Sequence, residues 1–162
     1  MQDFSVLLKK LAEAGLDFVI VGGFAAITHG SSYLTRDVDI CAVLTSENIA
    51  RLRAALADWN PKHRMTPQRL SFLVYPPAGQ SVNNLYLQTD MGVVDIHSSI
   101  LGVGDFERLK QSAEVVEIDG RPFRVMSLND LIVAKEAMGR EKDLLTAKEL
   151  RAIAEKRKQS LP

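Results

Sequence analysis

Gly22 to Ile40, GGFAAITHGSSYLTRDVDI, is the stretch whose reading decides the fold. Immediately before it, Asp17 leads into Phe18-Val19-Ile20-Val21, a short apolar run that reads as a buried strand. The Gly22-Gly23 pair follows at once, and FAAITHG reads as a helix ending near Gly30. Beyond the polar segment SSYLTR, residues 37–43 alternate acidic and apolar side chains before an apolar end. That pattern predicts a strand with one face turned to a cleft. The unit is therefore strand, glycine turn, helix, strand.

Side chains two apart on a strand point to the same side, so Asp37 and Asp39 stand together while Val38 and Ile40 face the core. Two carboxylates held that close repel each other and need compensation. Divalent metal supplies it, because Mg²⁺ (or Mn²⁺) prefers hard carboxylate oxygens and keeps positions open for phosphates. A lone pair of this kind is also explained by two solvated carboxylates at a strand end. A third acid, Asp95, sits in Val93-Val94-Asp95-Ile96, a run that otherwise belongs in a core. A buried carboxylate needs a partner. If its strand pairs beside that of Asp37 and Asp39, three carboxylates converge, can hold two metal ions, and Asp95 can help deprotonate an attacking hydroxyl. The plainer alternatives for Asp95 are capping a neighbouring loop or pairing with an arginine. Gly22 and Gly23 let phosphate oxygens approach a bare backbone, and the following helix offers N–H groups at its positive end. A tight turn explains the two glycines equally well.

Outward from this unit, Phe4, Leu7, Leu8 and Leu11 fall at helical spacing before Gly15, predicting a helix over residues 3–14. Ser46 can cap a helix carrying Ile49, Leu52 and Leu56 that ends near Trp59-Asn60-Pro61. Leu70 to Tyr75 reads as a strand and residues 76–79 as a loop. Asn84 to Thr89 and Val93 to His97 form two strands joined around Asp90-Met91-Gly92. A second hairpin runs from Val115 to Ile118, through Asp119-Gly120, and back along Phe123 to Met126. Ser127 with Asp130 resembles a capping box for a helix reaching about Met138, and Leu144, Ala147, Leu150 and Ile153 supply the buried positions of a last helix. Helices bracketing a central group of strands give an α+β (mixed α/β) class. The chain is expected to be one domain over residues 1–162, with a core of about 1–126 and a C-terminal helical part of about 127–157.

Twenty basic residues balance twenty acidic ones, so no global positive field holds a long nucleic acid, although a local patch remains open. Cys41 is the single cysteine and cannot form an intrachain disulfide; no paired Cys/His spacing suggests zinc. The start MQDFSVLLKK lacks the pattern of a signal peptide, and no stretch is long enough to span a bilayer. A cytoplasmic protein with no membrane partner is expected.

In their order these residues closely resemble the signature of the nucleotidyltransferase superfamily related to DNA polymerase beta. There a Gly-Gly or Gly-Ser turn is followed about a dozen residues later by an Asp-x-Asp or Asp-x-Glu pair, with a third acid on a later strand. More narrowly, the chain looks like small bacterial nucleotidyltransferase-like proteins that include toxin components of toxin–antitoxin pairs: His29-Gly30, Thr35 and the run Lys135 to Asp143 correspond. The resemblance implies a nucleotidyltransferase-type mixed sheet flanked by helices, Mg²⁺ (or Mn²⁺) on Asp37, Asp39 and Asp95, and an NTP such as ATP as substrate. It implies transfer of a nucleoside monophosphate, with release of pyrophosphate, to a hydroxyl of RNA (a tRNA end), protein or a small molecule. An antitoxin is the partner it suggests. Such proteins often carry a basic residue where this chain has Tyr33, and the neighbouring Arg36 can partly compensate; Tyr33 itself can stack on a base. Lys135, Arg140 and Lys142 supply phosphate or acceptor contacts, with Asp143 orienting one of them. His97, two residues beyond Asp95, can assist proton transfer, but a structural role fits both it and His29 better. The rival expectation is a non-catalytic nucleotide- or partner-binding module of a toxin–antitoxin or two-subunit system. A sugar-nucleotide Asp-x-Asp enzyme is disfavoured, because the acids follow the first strand too early.

Overall fold

Val19, Ile20 and Val21 form strand β1 with all three side chains buried, as suits a β-branched run covered on both faces. In the computed structural model, which describes residues 4–161, β1 lies inside a seven-stranded sheet. The other strands are β2 (Asp37–Cys41), β3 (Lys62–His63), β4 (Asn84–Thr89), β5 (Gly92–His97), β8 (Glu114–Ile118) and β9 (Arg121–Val125), ordered β3-β4-β5-β2-β1-β9-β8. A separate small ribbon pairs β6 (Ser99–Ile100) with β7 (Gly104–Asp105). The sheet is mixed: β2 and β5 run parallel, as do β1 and β9, and the remaining neighbours are antiparallel. Its centre is the expected strand, glycine turn, helix, strand unit, in which helix α2 (Gly22–Thr28) starts directly from β1.

Helix α1 (Phe4–Glu13) buries Leu7, Leu8 and Leu11; Asp3, the first residue of the helix expected from sequence, lies outside the described residues. It packs on α3 (Ser46–Leu56), whose Ile49, Leu52 and Leu56 are buried as their spacing required. Each such leucine contributes about 1.5–3 kcal/mol relative to an exposed one. The cap of α3 is Thr45 rather than Ser46: its hydroxyl accepts the Asn48 N–H at 3.1 Å. A single 3₁₀ turn, Ala57–Trp59, then ends at Asn60 in the left-handed conformation. At the other end, α5 (Leu128–Met138) opens on Ser127, which accepts the Asp130 N–H at 3.1 Å, and packs against α6 (Glu141–Gln159).

Two further expectations need correction, and one helix has no counterpart in the sequence reading. Leu70 to Tyr75 is not a strand but a turn with one isolated bridge, Lys62 to Ser71. Side-chain donors replace the ladder there: Arg53 gives hydrogen bonds to the carbonyls of Phe72 and Pro76 at 2.7 and 2.6 Å, and Phe72 is fully buried. Leu144 is exposed, because α6 turns Asp143, Thr146, Ala147 and Leu150 inward, a face that starts with a carboxylate. Finally, α4 (Phe106–Ser112) has only Phe106 and Leu109 as buried residues, too little periodicity to announce a helix. Among the described residues no helix is long and apolar enough to cross a membrane.

Candidate functional site

The parallel pairing of β2 with β5 places Asp37 beside Val93, Asp39 beside Asp95 and Cys41 beside His97. Val38, Ile40, Val94 and Ile96 fill the core on one side of this pair of strands. The opposite side carries Asp37, Asp39, Asp95 and His97 into a cleft of about 710 Å³. Alternation along two strands therefore does what the sequence pattern implied: it gathers the acids while anchoring them from behind.

Gly22 and Gly23 close the cleft beside the acids. Gly22 has a left-handed backbone, φ +68°, and a Cβ there would stand 2.8 Å from Asp39 Oδ2. At Gly23 a Cβ would meet Thr35 Oγ1 at 3.0 Å. Thr35 in turn donates to the Asp37 carbonyl at 3.2 Å, fixing the chain just before the acidic strand. A side chain on either glycine would thus press on the segment that carries the carboxylates.

Two of the three acids already have partners. Arg64 donates from Nε to Asp95 Oδ1 at 3.2 Å and from Nη2 to Asp95 Oδ2, a two-pronged fork. Its guanidinium also covers the Tyr86 ring at 5.4 Å from the centroid, and its backbone N–H donates to the Tyr86 carbonyl at 3.0 Å. His97 Nε2 lies 2.9 Å from Asp39 Oδ1, and the His97 ring meets Tyr86 edge-on at 6.0 Å. Asp95 is only 4% exposed. Burial pushes its carboxyl above the ordinary value, the Arg64 hydrogen bonds pull it down, and the charges of Asp39 and Asp37 push it up again, for a net rise. Arg64 is held even more firmly protonated, first by its hydrogen bonds to Asp95.

The facing wall comes from α5, α6 and the turn between them. Asp143, wholly buried, accepts from Arg140 Nε at 2.6 Å and lies 3.6 Å from Lys135 Nζ, so it draws both cations to the cleft. Burial raises its carboxyl, but the Arg140 hydrogen bonds and the Lys135 charge outweigh that and hold it below the ordinary value. Lys142 also lines the cleft from an exposed position. Ile100, Leu101, Leu131 and Met138 add an apolar surface. Tyr33 and Leu34 stand at the rim, Leu34 97% exposed.

Asp37, Asp39, Asp95, Gly22, Gly23, Lys135, Arg140 and Lys142 are thus brought to one cleft, whereas Arg36 is exposed and does not line it. His29 is buried away from the acids, its Nε2 2.7 Å from the Met126 carbonyl and its Nδ1 3.1 Å from Arg157 Nη2. Cys41 is no nucleophile: burial, with the charge of Asp105, pushes its thiol up to about 12. The arginine partner that was the plainer alternative for Asp95 is present as Arg64, although neither Arg64 nor Tyr86 is named by the sequence reading. The only sequence signal for Arg64 was the need of a carboxylate in an apolar run for a partner.

As a donor set for a divalent ion, Asp37 and Asp39 fit, being hard oxygens on one side of one strand. Among the described residues no three acidic, His or Cys side chains are grouped ready to hold an ion.

No family model and no curated protein matches the chain. Solved structures do. The lincosamide antibiotic adenylyltransferase LnuA, in its lincomycin-bound crystal structure, superposes with a TM-score of 0.61 at 15% identity, over 93% of this chain and 95% of that one. A putative nucleotidyltransferase from Thermotoga maritima gives 0.55 at 17%, over 90% and 91%. The antibiotic-resistance factor ANT(2'')-Ia, solved in solution, gives 0.53 at 16%, over 99% and 96%. The chain shares its fold with nucleotidyltransferases along nearly its whole length.

Proposed function

We propose that the protein transfers a nucleoside monophosphate from an NTP to an acceptor hydroxyl and releases pyrophosphate. One observation carries the reading: Asp39 and Asp95 are register partners on parallel strands, with Gly22 packed against Asp39 and Lys135 lining the same cleft. A divalent ion held by Asp37 and Asp39 supplies the positive charge that lets an anionic triphosphate lie beside two carboxylates.

The chain's own groups account for the remainder. The bare backbone at Gly22 and Gly23 gives phosphate oxygens room to approach, while Lys135, Arg140 and Lys142 meet them from the facing wall. The acceptor oxygen forms a bond to the α-phosphorus, the bond to the β-phosphate bridge breaks, and pyrophosphate takes the leaving electrons. The hydroxyl proton goes to Asp95. Burial raises its carboxyl against the pull of the Arg64 hydrogen bonds, which makes it the better base. The Arg64 fork leaves lone pairs free on both Asp95 oxygens, so orientation and proton acceptance are compatible.

The cleft volume of about 710 Å³ falls in the range of small-molecule sites, and its apolar surface suits an acceptor with a hydrophobic side. A small hydroxylated acceptor is therefore favoured over a tRNA end or a protein hydroxyl. The fold neighbour LnuA, a lincosamide antibiotic adenylyltransferase, is consistent with that preference. Incubation with each of the four α-labelled NTPs, Mg²⁺ and cell extract should move label into a small metabolite, and Asp37→Asn or Asp39→Asn should abolish the transfer. Full transfer by either variant would rule the assignment out.

A non-catalytic nucleotide-binding or partner-binding module, such as one component of a toxin–antitoxin pair, is the second reading. It is favoured by Arg64, which already compensates Asp95 without a metal, and by the contact of His97 with Asp39. Calorimetry with NTP and Mg²⁺ distinguishes the two: binding without turnover on any acceptor selects the module.

A further inference from the structure

Arg64 is the partner of two cleft residues, Asp95 and Tyr86, and the chemistry above uses it least. Three contacts fix it: the fork on Asp95, the face of the Tyr86 ring, and the backbone hydrogen bond to the Tyr86 carbonyl. Its Nη1 also lies 3.3 Å from Met65 Sδ. Asp95 is almost fully buried, so its charge cannot be left to solvent and needs a resident cation. A guanidinium gripping both carboxylate oxygens meets that need by itself.

Resting on the reading that Asp37 and Asp39 hold a divalent ion, we infer that Arg64 takes the place of a second ion beside Asp95, so that the cleft binds one divalent ion and not two. A metal ligated by Asp95 would sit against the Arg64 charge at a separation where like charges repel strongly. Among the described residues no such cation pairs with Asp37, and Asp39 meets only a histidine, which leaves that pair the better site. Asp95 is then a base positioned by Arg64 and not a metal ligand.

The inference is read by counting ions. Mn²⁺ alone is titrated into the full chain and the free ion is followed by electron paramagnetic resonance. Wild type and Asp95→Asn should each bind one Mn²⁺ per chain with affinities within about threefold, and the Asp37→Asn/Asp39→Asn double variant should bind none. Arg64→Met should bind a second Mn²⁺, lost again in Arg64→Met/Asp95→Asn. Arg64→Lys keeps the charge without the fork and should still bind one, which keeps the question decidable if Arg64→Met does not fold. Two ions or none in wild type, a single ion in folded Arg64→Met, or a loss of affinity in Asp95→Asn as large as in Asp37→Asn would overturn the inference. Label transfer is scored separately. Transfer with two bound ions leaves the proposed function and removes this inference, whereas one bound ion without transfer does the reverse.

Discussion

Gly22 and Asp39 share one space: a Cβ on the glycine would stand 2.8 Å from the Asp39 carboxylate, and the glycine's φ of +68° is one that other residues adopt only under strain. Gly22→Ala should therefore do two things at once. It should lower stability by about 1–2 kcal/mol through the left-handed backbone, and it should push Asp39 out of line with Asp37. Misplacing a reacting group by a fraction of an ångström to an ångström costs about a hundredfold in rate, so transfer should fall by that order while circular dichroism still reports the native fold. Equal rates in wild type and Gly22→Ala would mean that the shared space has no bearing on the chemistry.

Lys135 and Asp143 offer a test of the facing wall. Lys135 is mostly covered and lies 3.6 Å from a carboxylate with no exposure to solvent, so its ammonium is held at the cleft. Lys135→Met should raise the KM for NTP about tenfold or more and, because buried Asp143 then keeps Arg140 alone, should also lower the melting temperature. Asp143→Asn should raise KM less, because both cations remain but lose their common anchor, and should lower stability by about 1–3 kcal/mol. Steady-state kinetics across NTP concentrations, with melting curves, reads both. An unchanged KM in Lys135→Met removes this lysine from the triphosphate site.

Why some of this was legible in sequence and some was not follows from the range of the interactions. The alternation in residues 37–41 and the interrupted apolar run at 93–96 encode which face each aspartate takes, and the structure shows those two strands as parallel neighbours. Turn chemistry likewise marked the hairpin at Asp119-Gly120, where β8 and β9 meet. Arg64 was not legible, because it reaches Asp95 across 31 positions from a segment without periodicity. The fate of Leu70 to Tyr75 has the same origin: Arg53 satisfies its carbonyls from a helix, so local pattern had no way to distinguish turn from strand. On α6 the inward face begins with Asp143, and an apolar count could not anticipate that a buried carboxylate with two cations would take the place given to Leu144.

Acid stability should depend on Asp130, a carboxylate outside the cleft. Asp130 accepts from Arg108 at 2.9 and 3.2 Å and from Ser112, tying α5 to α4. Burial raises its carboxyl, but the hydrogen bonds from Ser112 and Arg108 and the Arg108 charge outweigh it, leaving a net fall. A folded-state pKa below the unfolded one means that the stabilisation is fully present above the unfolded value of about 4 and is lost as pH falls through the lower folded value. At neutral pH, Asp130→Asn should therefore cost about 1–2 kcal/mol, a figure kept small because half-exposed Arg108 can turn to solvent. Below the folded pKa the variant and wild type should converge. Urea unfolding over a pH series from 7 into acid checks the sign; a deficit that does not narrow as pH falls would show that the Asp130 charge contributes nothing and that only packing was lost.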